Sequence, residues 1–398
     1  MHHAAILGFG TVGSGVAETL VMNEERVKEK TDGITLKYIV DIRDFPDSPF
    51  SHLLTKDFSV VENDPEVDFV VETIGGCGIA REFTRRALSA GKCVITSNKE
   101  LVAAYGSELM ALAHEHNVSY LFEASVGGGV PMLRTVVNNL GAENIQEFFG
   151  ILNGTTNYIL TQMFRNGMSF SAALAKAKEL GYSEADPTAD IDGHDACRKV
   201  AILASLITGH QVPTDRIPTE GISGVSIDDV ENAAALGCTI KLLGRAVFAP
   251  DGRVSAYVAP HLIPTRLLIS GVEDVMNGLY VRGEAVGDVM LYGAGAGKLP
   301  TASAIVSDMF NLAKNRLDGE FFIWKDAQEG STTDPDELAT AWYVRMNPAE
   351  DWKDKQTGLH LLSQKDGKYA YYTDEMNGNA LRERFAGQTI LSCFRIIK

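Results

Sequence analysis

Over the first 125 residues, short apolar runs bounded by glycine and polar turns alternate with stretches of helical spacing. Ala-Ala-Ile-Leu-Gly at 4 to 8 predicts a strand, and Val16 and Leu20 after it lie four apart, as on one helix face. Leu36 to Val40, Asp68 to Glu72, Cys93 to Thr96 and Ser119 to Glu123 predict further strands, with a helix from Ser97 to about His116. Strands alternating with helices in this way predict an α/β domain on a mostly parallel sheet. Beyond residue 210 the pattern changes. Ile227 to Leu236 reads as helix, whereas Ile240 to Phe248 and Val254 to Ile263 read as strands, so helices packed on an open sheet are expected. In the tail, strands are expected near 341 to 346, 359 to 362, 369 to 373 and 390 to 397, with a helix near 379 to 385 and a polar loop over 347 to 356.

A length of 398 residues predicts two or three domains. The net charge of -16 argues against binding a phosphate backbone, which needs clustered Lys and Arg, so no nucleic acid partner is expected. No apolar run approaches the roughly 20 residues that span a bilayer. With no leader pattern at the start, no membrane association and a cytoplasmic location are expected. The five cysteines are odd in number and form no Cys-x-x-Cys pair, which favours reduced thiols over disulfides or a thiolate zinc site.

The first strand runs into Gly8-Phe9-Gly10-Thr11-Val12-Gly13 and then a helix. Glycines there permit a tight turn and let helix N-terminal amides approach a pyrophosphate, which points to a dinucleotide. After the second strand, Asp41 suits a ribose hydroxyl and Arg43 a 2'-phosphate, so NAD and NADP both remain open. Thr73, Gly75 and Gly76 follow the next strand, at the edge of a parallel sheet where cofactors lie. Ser97 and Glu100 have capping-box spacing around Asn98 and Lys99; Lys99 is not needed for the cap and is a candidate for polarising a carbonyl. The run Gly127-Gly128-Gly129-Val130-Pro131 makes an irregular turn whose carbonyls suit a small cation or simply turn the chain.

Residues 180 to 199 gather five carboxylates in a turn-rich segment and then open a helix, on which Asp195 and Lys199 lie four apart. An acid that orients an amine, beside carboxylates suited to an ammonium group, reads as an amino-acid site. Asp192 and Asp195 at the helix start fit a helix cap equally well, with Asp195 and Lys199 as a surface pair.

Gly-Phe-Gly-Thr-Val-Gly, Thr-Ser-Asn-Lys-Glu, Glu-Ala-Ser-Val-Gly-Gly-Gly-Val-Pro and Gly-Ile-Leu-Asn-Gly-Thr-Thr-Asn-Tyr-Ile-Leu occur here in the order found in the homoserine dehydrogenase family. Leu-Gly-Tyr-x-Glu-x-Asp-Pro, Asp190 and Gly-x-Asp-x-x-x-Lys resemble its substrate segment, and Tyr-Gly-Ala-Gly-Ala-Gly-Lys-Leu-Pro-Thr-Ala-Ser its returning cofactor loop. The resemblance covers about residues 4 to 330. It implies a discontinuous Rossmann-type domain (1–135 and 298–330), an α+β substrate and dimerisation domain with an open sheet (136–297), and a C-terminal module (335–398). Lys199 matches the family's catalytic lysine, Asp195 its orienting carboxylate and Lys99 its second active-site lysine. Glu184 and Asp190 match the carboxylates that hold the substrate ammonium, with Tyr182 in the same segment and Gly154 and Thr155 in the substrate loop. Gly8, Gly10, Thr11, Val12, Gly13, Asp41, Arg43, Thr73, Gly75, Asn98, Lys99 and Gly297 are the implied cofactor residues. The family's sodium-type cation site uses main-chain oxygens, here those of Glu123, Val126, Gly128 and Val130.

The implied activity is NAD- or NADP-dependent interconversion of L-homoserine and L-aspartate 4-semialdehyde, in threonine and methionine biosynthesis, by a homodimer or homotetramer. A dehydrogenase of another amino-acid aldehyde, or a cofactor-binding sensor without turnover, shares many of these features. The joint presence of Lys99, Asp195 and Lys199 speaks against the sensor. The tail resembles a shortened ACT module without its first helix, which implies little regulation by threonine.

Overall fold

The computed structural model describes residues 1–315, 322–350, 352 and 357–398. The chain forms two compact units, one of Met1–Ala142, Ala201–Thr214 and Gly293–Gln328, the other of Glu143–Val200, Asp215–Tyr292 and Glu329–Lys398. Residues 335–398 therefore lie with the second unit. Among the described residues no helix is long and apolar enough to cross a membrane.

In the first unit, β1 (His2–Leu7), β2 (Ile34–Val40), β3 (Leu54–Thr55), β4 (Val67–Glu72), β5 (Cys93–Thr96) and β6 (Tyr120–Leu121) make one sheet in the order β3-β2-β1-β4-β5-β6. Every pairing in it is parallel. Ala4 to Leu7 and Phe69 to Val71 are buried, which explains why these strands read as continuous apolar runs rather than alternating ones. The strand order reverses between β1 and β4, so the loops leaving their carboxyl ends open a crevice there. The helix Lys298–Lys314 packs on the helix Thr11–Met22. Gly15 makes this approach possible, because a Cβ there would lie 2.8 Å from the Lys298 carbonyl oxygen.

Two local expectations are corrected in this unit. The strand expected over 119 to 123 is confined to Tyr120–Leu121, and a 3-10 turn, Glu123–Ser125, follows. Side chains take the backbone here: the Glu123 amide donates to Asp308 Oδ2 (3.2 Å), while the Glu123 carboxylate accepts from the Leu133 and Arg134 amides at 2.9 and 2.8 Å. The helix Lys99–Glu115 is capped by Asn98, whose Oδ1 accepts from the Leu101 amide at 3.1 Å, and not by a Ser97–Glu100 box. Thr96 Oγ1 accepts the Asn98 amide at 2.9 Å and so moves the helix start one residue on.

The second unit is built on β7 (Ile145–Ile151), β8 (Cys238–Phe248), β9 (Val254–Pro264), β10 (Met276–Gly283), β11 (Gly287–Ala294), β12 (Ala341–Asn347), β13 (Leu359–Lys365), β14 (Lys368–Thr373) and β15 (Thr389–Ile396). Their order is β11-β10-β7-β8-β9-β15-β12-β14-β13. The expected tail strands, together with the helix Gly378–Arg384, are all present, and they continue the sheet through a short parallel pairing of Arg395 and Ile396 with His261 and Leu262. Of the expected polar loop, 351 and 353–356 lie outside the described residues, while 348–350 and 352 are not helical. One face of the sheet carries a core of Phe149, Ile151, Leu243, Ile263, Ile269 and Tyr280. On the other, the helix that begins at His194 lies so close that a Cβ on Gly244 would come within 2.3 Å of Val200 Cγ2.

Candidate active site

In the first unit the glycine turn is shaped for a phosphate. Gly8 has φ +90°, and a Cβ on Gly13 would sit 2.0 Å from the Gly8 carbonyl oxygen, so neither position tolerates a side chain. Gly10 caps the helix Thr11–Met22 without a side-chain hydrogen bond. Thr11, Val12 and Gly13 thus present first-turn amides, which no intrahelical carbonyl satisfies, at the positive end of the helix dipole. A pyrophosphate fits this cradle.

Asp41 is buried at the end of β2, with Oδ2 accepting from the Phe9 amide (2.7 Å) and Arg43 NH2 (2.8 Å), and Oδ1 accepting from the Arg43 amide (2.9 Å) and Nε (3.0 Å). The guanidinium first, then the two amides, hold its pKa at about 2. Arg43 itself extends over the turn, its NH2 only 3.9 Å from where a Gly10 Cβ would be. Thr73 Oγ1 donates to the Gly8 carbonyl (2.8 Å), and Asn98 Nδ2 to the Gly76 carbonyl (2.7 Å), which ties the loops after β1, β4 and β5 together. Beneath them Glu72 is fully buried; burial pushes its carboxyl pKa up, and it accepts from Thr96 Oγ1 (2.6 Å) and the Ile74 amide (2.7 Å). Gly75 and Gly297 have φ values of +87° and +121°. Lys99 is the half-buried first residue of its helix.

The turn expected to hold a cation is compact, with Gly127 and Gly128 at positive φ and a Cβ on Gly128 excluded by the Gly295 carbonyl at 2.6 Å. Glu123 O already accepts from the Val126 amide (3.4 Å), and Val130 O from the Met132 amide (2.8 Å).

The second unit brings Asp190, Asp195 and Lys199 to the start of the helix Gly154–Asn166. Lys199 is buried and donates to Asp195 Oδ2 at 2.7 Å and to the Leu152 carbonyl at 2.5 Å. Asn153 caps the helix through Oδ1, and its Nδ2 lies 2.7 Å from Asp190 Oδ1 and 3.0 Å from Asp195 Oδ2. Thr155 Oγ1 reaches Asp190 Oδ2 at 2.8 Å and the Tyr182 carbonyl at 2.7 Å. The Tyr182 ring stands edge-on to Tyr158, with centroids 5.1 Å apart. A Cβ on Gly154 would meet the Val275 carbonyl at 2.8 Å. Glu184 is exposed. The cap reading of Asp192 is corrected: the helix begins at His194, and Asp192 closes the short turn Thr188–Ile191 instead. The surface-pair reading of Asp195 and Lys199 fails because both side chains are buried, at 7% and 9% exposure. Asn153 and the Leu152 carbonyl are the members that sequence reasoning did not assign to the site; the signals were an Asn ahead of Gly-Thr-Thr, a good N-cap, and the place of both residues in the Gly-Ile-Leu-Asn-Gly-Thr-Thr motif.

A doubly wound sheet with a phosphate-shaped glycine turn, and in the same chain a buried lysine set among carboxylates, defines an NAD(P)-dependent oxidoreductase. Residues 8–123 match the family description "Homoserine dehydrogenase, NAD binding domain" and residues 131–310 match "Homoserine dehydrogenase". The chain is 38% identical over 356 residues to the homoserine dehydrogenase of Bacillus subtilis (87% of this chain, 81% of that one). It is 42% identical over 323 residues to that of Corynebacterium glutamicum (79% and 72%). The crystal structure of a homoserine dehydrogenase from Thiobacillus denitrificans superposes with TM-score 0.87 at 33% identity, covering 100% of this chain and 98% of that one. A hyperthermophilic archaeal homoserine dehydrogenase mutant in complex with NADPH covers 79% of this chain and 98% of its own, with TM-score 0.65 and 28% identity. The chain belongs to the homoserine dehydrogenase family.

Proposed function

We propose that this chain interconverts L-homoserine and L-aspartate 4-semialdehyde, and that the cluster of Lys199, Asp195, Asn153 and Asp190 is where its second unit acts on the amino acid. The observation that carries this reading is the buried Lys199 ammonium, fixed between Asp195 Oδ2 and the Leu152 carbonyl. NAD or NADP, when bound, takes or gives the hydride. The chain's own residues handle the proton and the substrate.

As the alcohol carbon gives up hydride, its hydroxyl proton must leave; in the reverse direction charge grows on the carbonyl oxygen and a proton must return to it. Lys199 serves as that acid and base, and Asp195 holds its Nζ at one point so that little reorganisation is needed. Glu184 and Asp190 bind the substrate ammonium, with Thr155 and Asn153 orienting Asp190. That attachment is remote from the reacting carbon, so it supplies orientation. Lys99 is assigned as the second active-site lysine. Glycines 8, 10 and 13 with Thr11 and Val12 hold the pyrophosphate, Asp41 and Arg43 lie on the adenosine side, and Thr73, Gly75, Asn98 and Gly297 complete the cofactor loops. A monovalent cation on the carbonyls of Glu123, Val126, Gly128 and Val130 would brace the turn between strand β6 and the residues that follow.

The domain roles follow the same reading: the first unit binds the cofactor, and the second binds the substrate and supports a homodimer or homotetramer. Residues 335–398 form the shortened ACT-like part of it, and the enzyme is cytoplasmic. The test is turnover by the purified protein, followed through reduced nicotinamide with homoserine and with NAD and NADP in parallel. Absence of turnover with both cofactors sinks the reading.

A further inference from the structure

Outside the residues so far assigned, Asn277 on β10 differs from the other buried side chains that carry a partnerless polar atom, Tyr120 and Trp324 for example, in that both of its polar atoms are orphaned. It is 1% exposed, yet neither Oδ1 nor Nδ2 of its carboxamide has a hydrogen-bond partner among the described residues. Leaving a buried polar group without a partner is costly, so a native site that does so has a ligand or water to satisfy it.

The strand pattern shows where this carboxamide points. β10 runs antiparallel to β7 with Gly278 opposite Ile151, so Asn277 comes alongside Leu152, the residue whose carbonyl accepts the Lys199 ammonium. Side chains alternate between faces along a strand. A Cβ on Gly278 would meet Val272 and Met290, members of the core on the far face, whereas Leu279 and Leu152 both meet the Cβ position of Gly150. Leu152 also meets the Cβ position of Gly244, as does Val200 from the helix that carries Lys199 and Asp195. Asn277 shares the face of Leu279. It therefore faces the same layer as Leu152, Val200 and the lysine helix. The neighbouring Met276 carbonyl accepts from Asn157 Nδ2 (3.1 Å), which fixes this end of β10 against the helix Gly154–Asn166.

We propose that Asn277 is a further substrate-binding residue, donating from Nδ2 to the α-carboxylate of the amino acid while Oδ1 accepts from its ammonium. This rests on the functional reading above. In that reading the ammonium is held by Glu184 and Asp190 and the reacting oxygen by Lys199, but the carboxylate has no side-chain partner. A carboxamide carries a donor and an acceptor side by side, matching the carboxylate and ammonium on one α-carbon, and it does so without adding charge to the site. A substrate lacking the carboxylate leaves the amide unpaired, so the same residue discriminates amino acids from simple amino alcohols.

The test compares Asn277→Leu and Asn277→Ala with the wild-type enzyme by steady-state kinetics and by thermal melts with and without homoserine. The KM for homoserine is expected to rise at least tenfold in both variants, with kcat changed less than about threefold and the cofactor KM unchanged. The Leu variant, relieved of an unpaired amide, should melt no lower than wild type without ligand, and the upward shift that homoserine gives wild type should be lost. A lower melting temperature with an unchanged homoserine KM in the Ala variant overturns the proposal and leaves Asn277 as a core residue satisfied by an internal water. If wild type neither turns over nor is stabilised by homoserine, the functional reading fails and the assigned ligand falls with it.

Discussion

Replacing His261 with glutamine should flatten the acid side of the stability profile of the second unit. His261 is completely buried on β9. Its Nδ1 is 2.8 Å from the Ala259 carbonyl and so carries the proton, leaving Nε2 to accept from the Tyr257 hydroxyl at 3.3 Å. That hydroxyl in turn accepts from Arg245 at 3.2 Å, and the Arg395 guanidinium lies 4.6 Å from the Tyr257 ring centroid. Burial first, then the Arg245 cation, pushes the histidine pKa down to about 3. In the unfolded chain the same ring titrates near ~6.5. Between these values the unfolded state binds a proton that the native state does not, so stability is complete above about pH 6.5 and is lost as the pH falls toward 3. Integrated from pH 7 to pH 5, the loss from this one group is about 2 kcal/mol. For a unit of about two hundred residues that corresponds to about 4–8 °C in melting temperature. Glutamine reproduces both hydrogen bonds and cannot take up a proton. Urea or thermal unfolding at the two pH values, monitored on a probe in the second unit, should show the variant losing about 2 kcal/mol less than wild type; carboxylates shared by both proteins cancel in the comparison. Equal losses in the two proteins would refute the argument.

Lys199→Met should lower kcat by about a hundredfold with cofactor affinity nearly unchanged, measured by stopped-flow and equilibrium fluorescence; near-normal kcat in that variant, with a large loss in Lys99→Met, would exchange the roles of the two lysines. Glu184→Gln should mainly raise the KM for homoserine, since it removes an interaction made in ground and transition states alike, and a fall confined to kcat would contradict this. Arg43→Ala should reduce kcat/KM with NADP about tenfold or more and change that with NAD less, because it removes the cation beside the glycine turn and frees Asp41; equal loss with both cofactors would remove Arg43 from phosphate recognition. Threonine at sub-millimolar concentration should leave the rate unchanged, and clear inhibition would show that residues 335–398 bind an effector after all.

What was legible in the sequence depended on whether the physical demand was local. Gly8 and Gly13 announced the turn because the one needs a positive φ and the other has no room for a Cβ. The pair Asp195 and Lys199 was legible because helix geometry alone brings residues four apart together. Asn153 was not, since its carboxamide is used on Asp190 and Asp195, 37 and 42 residues away, and no local pattern encodes such a contact. The cap at Asn98 was misplaced by one residue because Ser97 and Asn98 are both good caps, and the choice is made by the Thr96 hydroxyl. Likewise β6 was drawn too long, because the hydrogen bonds that end it come from Asp308, 185 residues further along. The pairing of β15 with β9 spans only two residue pairs and carries no signature in either strand.

The choice of groups around Asp190 and Asp195 also bears on specificity. An arginine bridging two neighbouring carboxylates would largely cancel their field. Here the shared partner is the neutral Asn153, and the second partner of Asp190 is the neutral Thr155 hydroxyl. Hydrogen bonds fix both acids in place, and Asp195 is paired with the Lys199 ammonium through Oδ2. On the reading proposed above, Asp190 and Glu184 are the acids left to a cation brought by the ligand. An amino acid supplies that cation; an aldehyde or alcohol without an ammonium group pays the same loss of freedom on binding and gains nothing from the two acids. By this argument discrimination for an amino-acid substrate resides in the neutrality of Asn153 and Thr155 as much as in the carboxylates themselves.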